Sequence, residues 1–132
     1  MDTGTNTTKP KRVLCIEDEH FISELYTRAL TKAGYHVDVQ LDGQLGMAAA
    51  QTDTYDIILL DLMIPNITGI EVLRTLRDPA KTPKMHAKII ITTNLEQRED
   101  VRADIERQAD GYLVKAEITP KELVDFLNKL NI

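Results

Sequence analysis

The chain has 132 residues, 42% of them hydrophobic and 28% charged, which suits one domain with a full core and is short for two. With 16 Lys and Arg against 21 Asp and Glu the formal charge is −5, which gives no electrostatic ground for binding nucleic acid or an anionic membrane. No apolar run reaches the ~20 residues of a membrane span and the start lacks a secretion signal; the single cysteine, Cys15, excludes an intramolecular disulfide, so a cytoplasmic setting is expected.

Residues 1–10 are polar and Thr-rich without periodicity, and read as a disordered N-terminal tail ahead of one domain over 11–132. Val13-Leu14-Cys15-Ile16 is the first continuous apolar run, suited to a strand buried on both faces, and it ends on Glu17-Asp18-Glu19. A helix follows over roughly 20–33. There Phe21, Leu25, Ala29 and Ala33 repeat every four residues, with Ile22, Tyr26 and Leu30 beside them, and Gly34 supplies the stop. Tyr35, Val37, Val39 and Leu41 alternate with polar residues, as on an edge strand with one solvated face. Asp42-Gly43 is a turn, and Gln44 to Gln51 a short Ala-rich helix.

Ile57-Ile58-Leu59-Leu60 is the second continuous run and leads straight into Asp61. After Leu62-Met63-Ile64 the chain turns at Pro65-Asn66 and enters a helix over about 68–77, opened by the capping-box spacing of Thr68 and Glu71, with Ile70, Leu73 and Leu76 facing inward. Lys88 to Thr93 is the third continuous strand. The helix over about 95–108 is highly charged, and its narrow apolar stripe of Val101, Ile105 and Ala109 predicts a loosely held element. Gly111-Tyr112-Leu113-Val114-Lys115 is the fifth strand. The last helix has the strongest start signal: Thr119 as cap, Pro120 as first helical residue, Glu122 as capping-box acid, and Ile118 with Leu123 as hydrophobic staple. Leu123, Phe126, Leu127 and Leu130 form its inward face.

Five alternating strand–helix pairs predict an α/β fold, (βα)5, with a doubly wound parallel sheet. The order 2-1-3-4-5 buries strands one, three and four and leaves strand two at an edge, with the switch point between strands one and three. That order brings Glu17, Asp18 and Asp61 to one crevice at the strands' carboxyl ends. Carboxylates gathered in a partly desolvated site repel, and a divalent cation with oxygen ligands, Mg²⁺ in particular, compensates. Strand four ends in the hydroxyls of Thr92-Thr93 and strand five in the cation Lys115. Acids, metal, hydroxyl and ammonium suit phosphoryl transfer, with Asp61 as nucleophile and an aspartyl phosphate as product. Singly, each residue has a plainer role: the acids at 17–19 as helix-start charges, Lys115 as a surface lysine, Thr93 as a strand former. It is their coincidence at four strand ends that favours chemistry. His20, His36 and His86 lack ligand-like spacing and read as non-functional.

From Lys11 to Ile132 the chain resembles the receiver domains of bacterial two-component response regulators, a CheY-like, flavodoxin-like fold. The resemblance rests on Glu17-Asp18, on Asp61-Leu62-Met63-Ile64-Pro65 with Gly69, on Thr93, and on Gly111-Tyr112-Leu113-Val114-Lys115. It implies a phosphorylation-activated signalling switch rather than a turnover enzyme. Asp61 would take a phosphoryl group from a sensor histidine kinase or histidine phosphotransfer protein. Asp18, Asp61 and the backbone carbonyl of Met63 would bind Mg²⁺, with Glu17 helping through water. Lys115 would pair with the phosphoryl oxygens, Thr93 would donate its hydroxyl to them (Thr92 being the fallback), and Tyr112 would rotate inward behind it. The fourth helix, fifth strand and fifth helix would then present a changed face to a downstream protein or, in a phosphorylation-dependent homodimer, to a second copy, with no direct DNA binding expected. Ending a few residues past the last helix, the chain reads as a stand-alone receiver.

Two positions depart from the family pattern. Asn94 follows the switch Thr where a small residue is usual, and Ala116 follows the Lys where Pro, often with a cis peptide, is usual. Three other functions are weighed against the switch. A flavodoxin-type electron carrier would need a Ser/Thr- or Gly-rich phosphate loop where Glu17-Asp18-Glu19 stands. A phosphatase of the haloacid dehalogenase type wants a second Asp where Met63 stands. A receiver-like adaptor that binds partners without phosphorylation is opposed by the intact acid cluster and Lys115.

Overall fold

Strands apolar at every position need cover on both faces, and the chain supplies it with helices on either side of one sheet. The computed structural model describes residues 9–94, 97–130 and 132. Most of the expected tail, residues 1–8, lies outside the described residues, as do Leu95 and Glu96, where the fourth helix is expected to begin. Five parallel strands, β1 (Arg12–Ile16), β2 (His36–Gln40), β3 (Ile57–Asp61), β4 (Lys88–Thr93) and β5 (Gly111–Val114), pair in the order β2-β1-β3-β4-β5. The helices α1 (His20–Lys32), α2 (Gly43–Ala50), α3 (Gly69–Arg77), α4 (Glu99–Gln108) and α5 (Pro120–Asn128) alternate with them. The expected order is thus the observed one, with the alternating strand β2 at an edge.

Successive strand residues face opposite sides, so β1, β3 and β4 each feed two cores, while β2 gives Val37 and Val39 to one. Leu14, Ile16, Ile58, Leu60, Ile89 and Ile91 pack on one side with Val72, Leu73, Leu76 and Ile105 from α3 and α4. Val13, Cys15, Ile57, Leu59 and Ile90 pack on the other with Tyr26, Leu30, Leu123 and Leu127 from α1 and α5. Cys15, as expected of a small buried hydrophobe, has its thiol pushed up to about 12 by burial and then by the Glu17 charge.

The helix ends follow their signals. Gly34, at φ +100, ends α1 in a Schellman motif: its N–H donates to Thr31 O at 3.0 Å, and Tyr35 N–H donates to Leu30 O at 2.9 Å. At α5 both arms of the capping box form, Glu122 N–H to Thr119 Oγ1 at 3.1 Å and Thr119 N–H to Glu122 Oε1 at 2.9 Å. At α3 only one arm forms. Thr68 Oγ1 accepts from Glu71 N–H at 3.3 Å, while the Glu71 carboxylate turns to the Thr68 hydroxyl instead of its amide.

Three expectations change. The row Phe21, Leu25, Ala29, Ala33 contributes to the core only in part: Leu25 packs against it while Phe21 is 72% exposed, and Ser23, Tyr26 and Leu30 are the buried residues of α1. Both rows are apolar, and it is Tyr26 and Leu30 that are buried in the core under α1 and α5. Among the described residues the fourth helix begins at Glu99, where two acids favour the positive helix start, and only Ile105 of α4 is buried. β5 stops at Val114, and Lys115 opens a 3₁₀ turn over Lys115–Glu117. The described residues include no cis peptide bond, so Lys115–Ala116 is trans. No described helix is long and apolar enough to cross a membrane.

Candidate functional site

The carboxyl ends of β1 and β3, adjacent in the sheet, deliver acids to one place because each strand passes from apolar core directly into a carboxylate. Asp61, the last residue of β3, is 4% exposed, and Glu17, one residue past β1, is 1% exposed; Asp18 beside it is open to solvent. One carboxylate oxygen from each of Glu17, Asp18 and Asp61 lies within 4.8 Å of the other two. The 3₁₀ turn after β5 folds Lys115 into this group. Its Nζ is bonded to Glu17 Oε1 and stands 3.1 Å from Asp61 Oδ2.

Backbone donors hold the remaining oxygens. Glu19 N–H donates to Glu17 Oε2 at 3.2 Å, and Met63 N–H donates to Asp61 Oδ1 at 3.1 Å. With all three carboxylates ionised, the one ammonium leaves the group two negative charges in excess. Loss of hydration and the neighbouring Asp61 charge push the Glu17 carboxyl up to about 7, against the pull of Lys115. Burial draws the Lys115 ammonium down, but its bond to Glu17 and the Asp61 charge outweigh that and hold it above its ordinary value. Hard oxygen donors with this surplus of negative charge fit a divalent cation such as Mg²⁺.

The β3–α3 loop is built to keep Asp61 in place. Asn66 takes a left-handed φ of +71, tolerated by its short polar side chain. Gly69 N–H donates to Leu62 O at 3.1 Å. A Cβ on Gly69 would stand 2.2 Å from Asp61 O and 2.6 Å from the Leu62 Cα, so only glycine lets the helix start so close to the strand end.

Thr92 and Thr93, at the end of β4, are both buried. Thr92 pairs in register with Asp61 and Leu113. Thr93 continues the face of Ile89 and Ile91, and Tyr112, paired with Ile91, packs on that same side. Alternation thus groups Thr93 with Tyr112 and sets Thr92 with Ile90 and Leu113 on the opposite face. Tyr112 has a buried hydroxyl, and the Arg102 guanidinium of α4 lies 4.4 Å from its ring centre. The sequence does not disclose Arg102: four residues before Glu106, with which it pairs at 3.2 Å, it reads as an ordinary surface helix pair. The structure therefore brings Glu17, Asp18, Asp61 and Lys115 together, sets Met63 against Asp61 through its amide, and keeps Thr93 and Tyr112 on one face.

The histidines belong elsewhere. His86 meets Asp53 at 2.8 Å and Asp56 at 3.3 Å, and His36 meets Asp38 at 3.3 Å, all near the amino ends of the strands. His20 opens α1 and is exposed.

The profile of the response regulator receiver domain matches residues 13–128. The chain is 39% identical over 104 residues to the response regulator ArlR of Staphylococcus saprophyticus, covering 79% of this chain and 45% of that one. It thus spans about half the length of the curated relatives it matches. Among solved structures, the response regulator TrrA of Thermotoga maritima in complex with Mg²⁺ and BeF is 33% identical, with a TM-score of 0.74 over 92% of this chain and 99% of that one. The chemotaxis response regulator CheY4 of Vibrio cholerae is 27% identical, with a TM-score of 0.78 over 92% and 98%.

Proposed function

The chain belongs to the response regulator receiver domains, the switch modules of two-component signalling, and from that premise we propose that Asp61 is its phosphoacceptor, within a domain running from residue 11 to 132. The observation that carries this reading is the buried Lys115 ammonium bridging Glu17 and Asp61, with Asp18 in reach. An Asp61 carboxylate oxygen attacks the phosphorus of a phosphohistidine on a sensor kinase or phosphotransfer protein. A P–O bond forms as the P–N bond breaks, and the departing imidazole keeps the electron pair. Asp18, Asp61 and the Met63 carbonyl, with Glu17 at their edge, are the groups that would hold Mg²⁺. Bound there, the cation supplies charge neutralisation for the acids and the incoming phosphoryl oxygens. Lys115, already beside Asp61, keeps a cation at the phosphoryl oxygens, and Thr93 donates its hydroxyl to them.

The product is a modified protein, so the chain acts as a switch on itself. Movement of the Thr93 hydroxyl toward the phosphoryl group frees space on the face it shares with Tyr112. The ring of Tyr112, with Arg102 over it, links that change to α4. Output then passes to a protein partner over α4, β5 and α5; the expectation of protein rather than DNA contacts rests on the charge of −5.

Intact mass after incubation with acetyl phosphate and Mg²⁺, beside an Asp61→Asn control, tests the reading. One phosphoryl group gained by the unmodified chain alone is the expected result. No gain in either chain, with Mg²⁺ binding established, would transfer the conclusion to an adaptor that works without phosphorylation.

A further inference from the structure

The loop that carries Met63 is held from outside as well as by its own turns. Gly43, the first residue of α2, is buried, and its N–H donates to Pro65 O at 3.0 Å. First-turn amides have no partner within their own helix, so this one is available to the loop. A Cβ on Gly43 would stand 1.9 Å from Ile67 O and 2.8 Å from Ile67 C, both backbone atoms of the same loop. No side-chain adjustment relieves that contact; the loop itself must move. Glycine is the poorer helix former, and the φ of Gly43 is not left-handed, so neither helix propensity nor conformational need explains it. Close approach does.

Pro65 O also accepts from Ile67 N–H at 3.0 Å, so one carbonyl ties the loop to α2 and to itself. Two residues earlier along the same loop, Met63 N–H holds Asp61 Oδ1. We propose that Gly43 is a positioning residue for the Asp61 site. By admitting the Ile67 carbonyl against its Cα and donating to Pro65, it fixes the loop that sets the Met63 main chain and the Asp61 carboxylate for the divalent cation. This rests on the Mg²⁺ reading above.

Gly46 provides a matched control, since it is also buried in α2 but the nearest atoms to a Cβ there belong to the Ile16 side chain, at 2.7 Å. The test uses the whole chain, labelled with ¹⁵N and titrated with MgCl₂, with urea unfolding of each variant in metal-free buffer. Gly43→Ala and Gly46→Ala both lose stability, but only Gly43→Ala weakens Mg²⁺ binding, by about tenfold or more, as removal of a group orienting a metal ligand does. Coupling is reciprocal, so in the unmodified chain Mg²⁺ slows hydrogen exchange of the Gly43 amide severalfold and leaves the Gly46 amide unchanged. This second readout decides the matter if Gly43→Ala does not fold. Wild-type affinity in Gly43→Ala, an equal loss in both variants, or an unresponsive Gly43 amide overturns the role of Gly43 and leaves the Mg²⁺ reading intact. An unmodified chain with no Mg²⁺ response lost on Asp61→Asn overturns the site reading, and this inference with it.

Discussion

Buried beside Asp61 and bonded to Lys115, Glu17 carries a carboxyl pushed from its ordinary 4.5 up to about 7, by lost hydration first and against the pull of Lys115. A folded value above the unfolded one means that the native state holds the extra proton between them. Stability therefore falls as pH rises from about 4.5 to about 7, and the loss is complete above that. The effect is on the order of 3 kcal/mol at most. Urea unfolding of the metal-free chain at pH 5 and pH 8, compared with Glu17→Gln, measures it. The unmodified chain is expected to lose more stability than the variant on going to pH 8; equal losses would remove Glu17 as the cause. Little of this is legible from residue types. The sequence presents Lys115 at the end of an apolar strand, where a surface lysine would look the same, and only the 3₁₀ turn at 115–117 carries it inward.

At the scale of the helix and strand, local chemistry is legible where a signal has one meaning. Thr119-Pro120 with Glu122 gives the α5 start and Gly34 the α1 stop, because each residue satisfies backbone groups within its own segment. Signals with two meanings are not legible. The two apolar rows of α1 compete, and which one is buried depends on the strands beneath it. Thr68-Gly69-Ile70-Glu71 has the spacing of a full capping box, yet Glu71 chooses the hydroxyl. That difference between α3 and α5 is measurable. Loss of a cap costs about 0.5–2 kcal/mol, and Thr119→Ala, which removes the acceptor of a reciprocal pair, is expected toward the upper end with Thr68→Ala toward the lower. Urea titrations of the two variants check the order, and a larger loss for Thr68→Ala would contradict it.

For the molecule as a whole, the sequence shows the strand order because continuous and alternating runs differ in how many faces they can bury. It does not show which helices share a face, nor that Thr93 and Tyr112 do, since those follow from register across the sheet. The two cores are separated by that sheet, and their side chains belong to one or the other. Ile105 lies in the core under α4 and Leu127 in the core under α5. Ile105→Val is expected to cost about 0.5–1.5 kcal/mol and Leu127→Ala about 2–5 kcal/mol. The double variant should lose their sum to within about 0.5 kcal/mol, since the residues share no partners; a larger coupling in denaturation would show that the sheet does not insulate them. Such insulation lets each half accept a substitution without disturbing the other. A change of packing beneath α3 and α4, on the face that Thr93 and Tyr112 share, leaves the residues beneath α1 and α5 where they are.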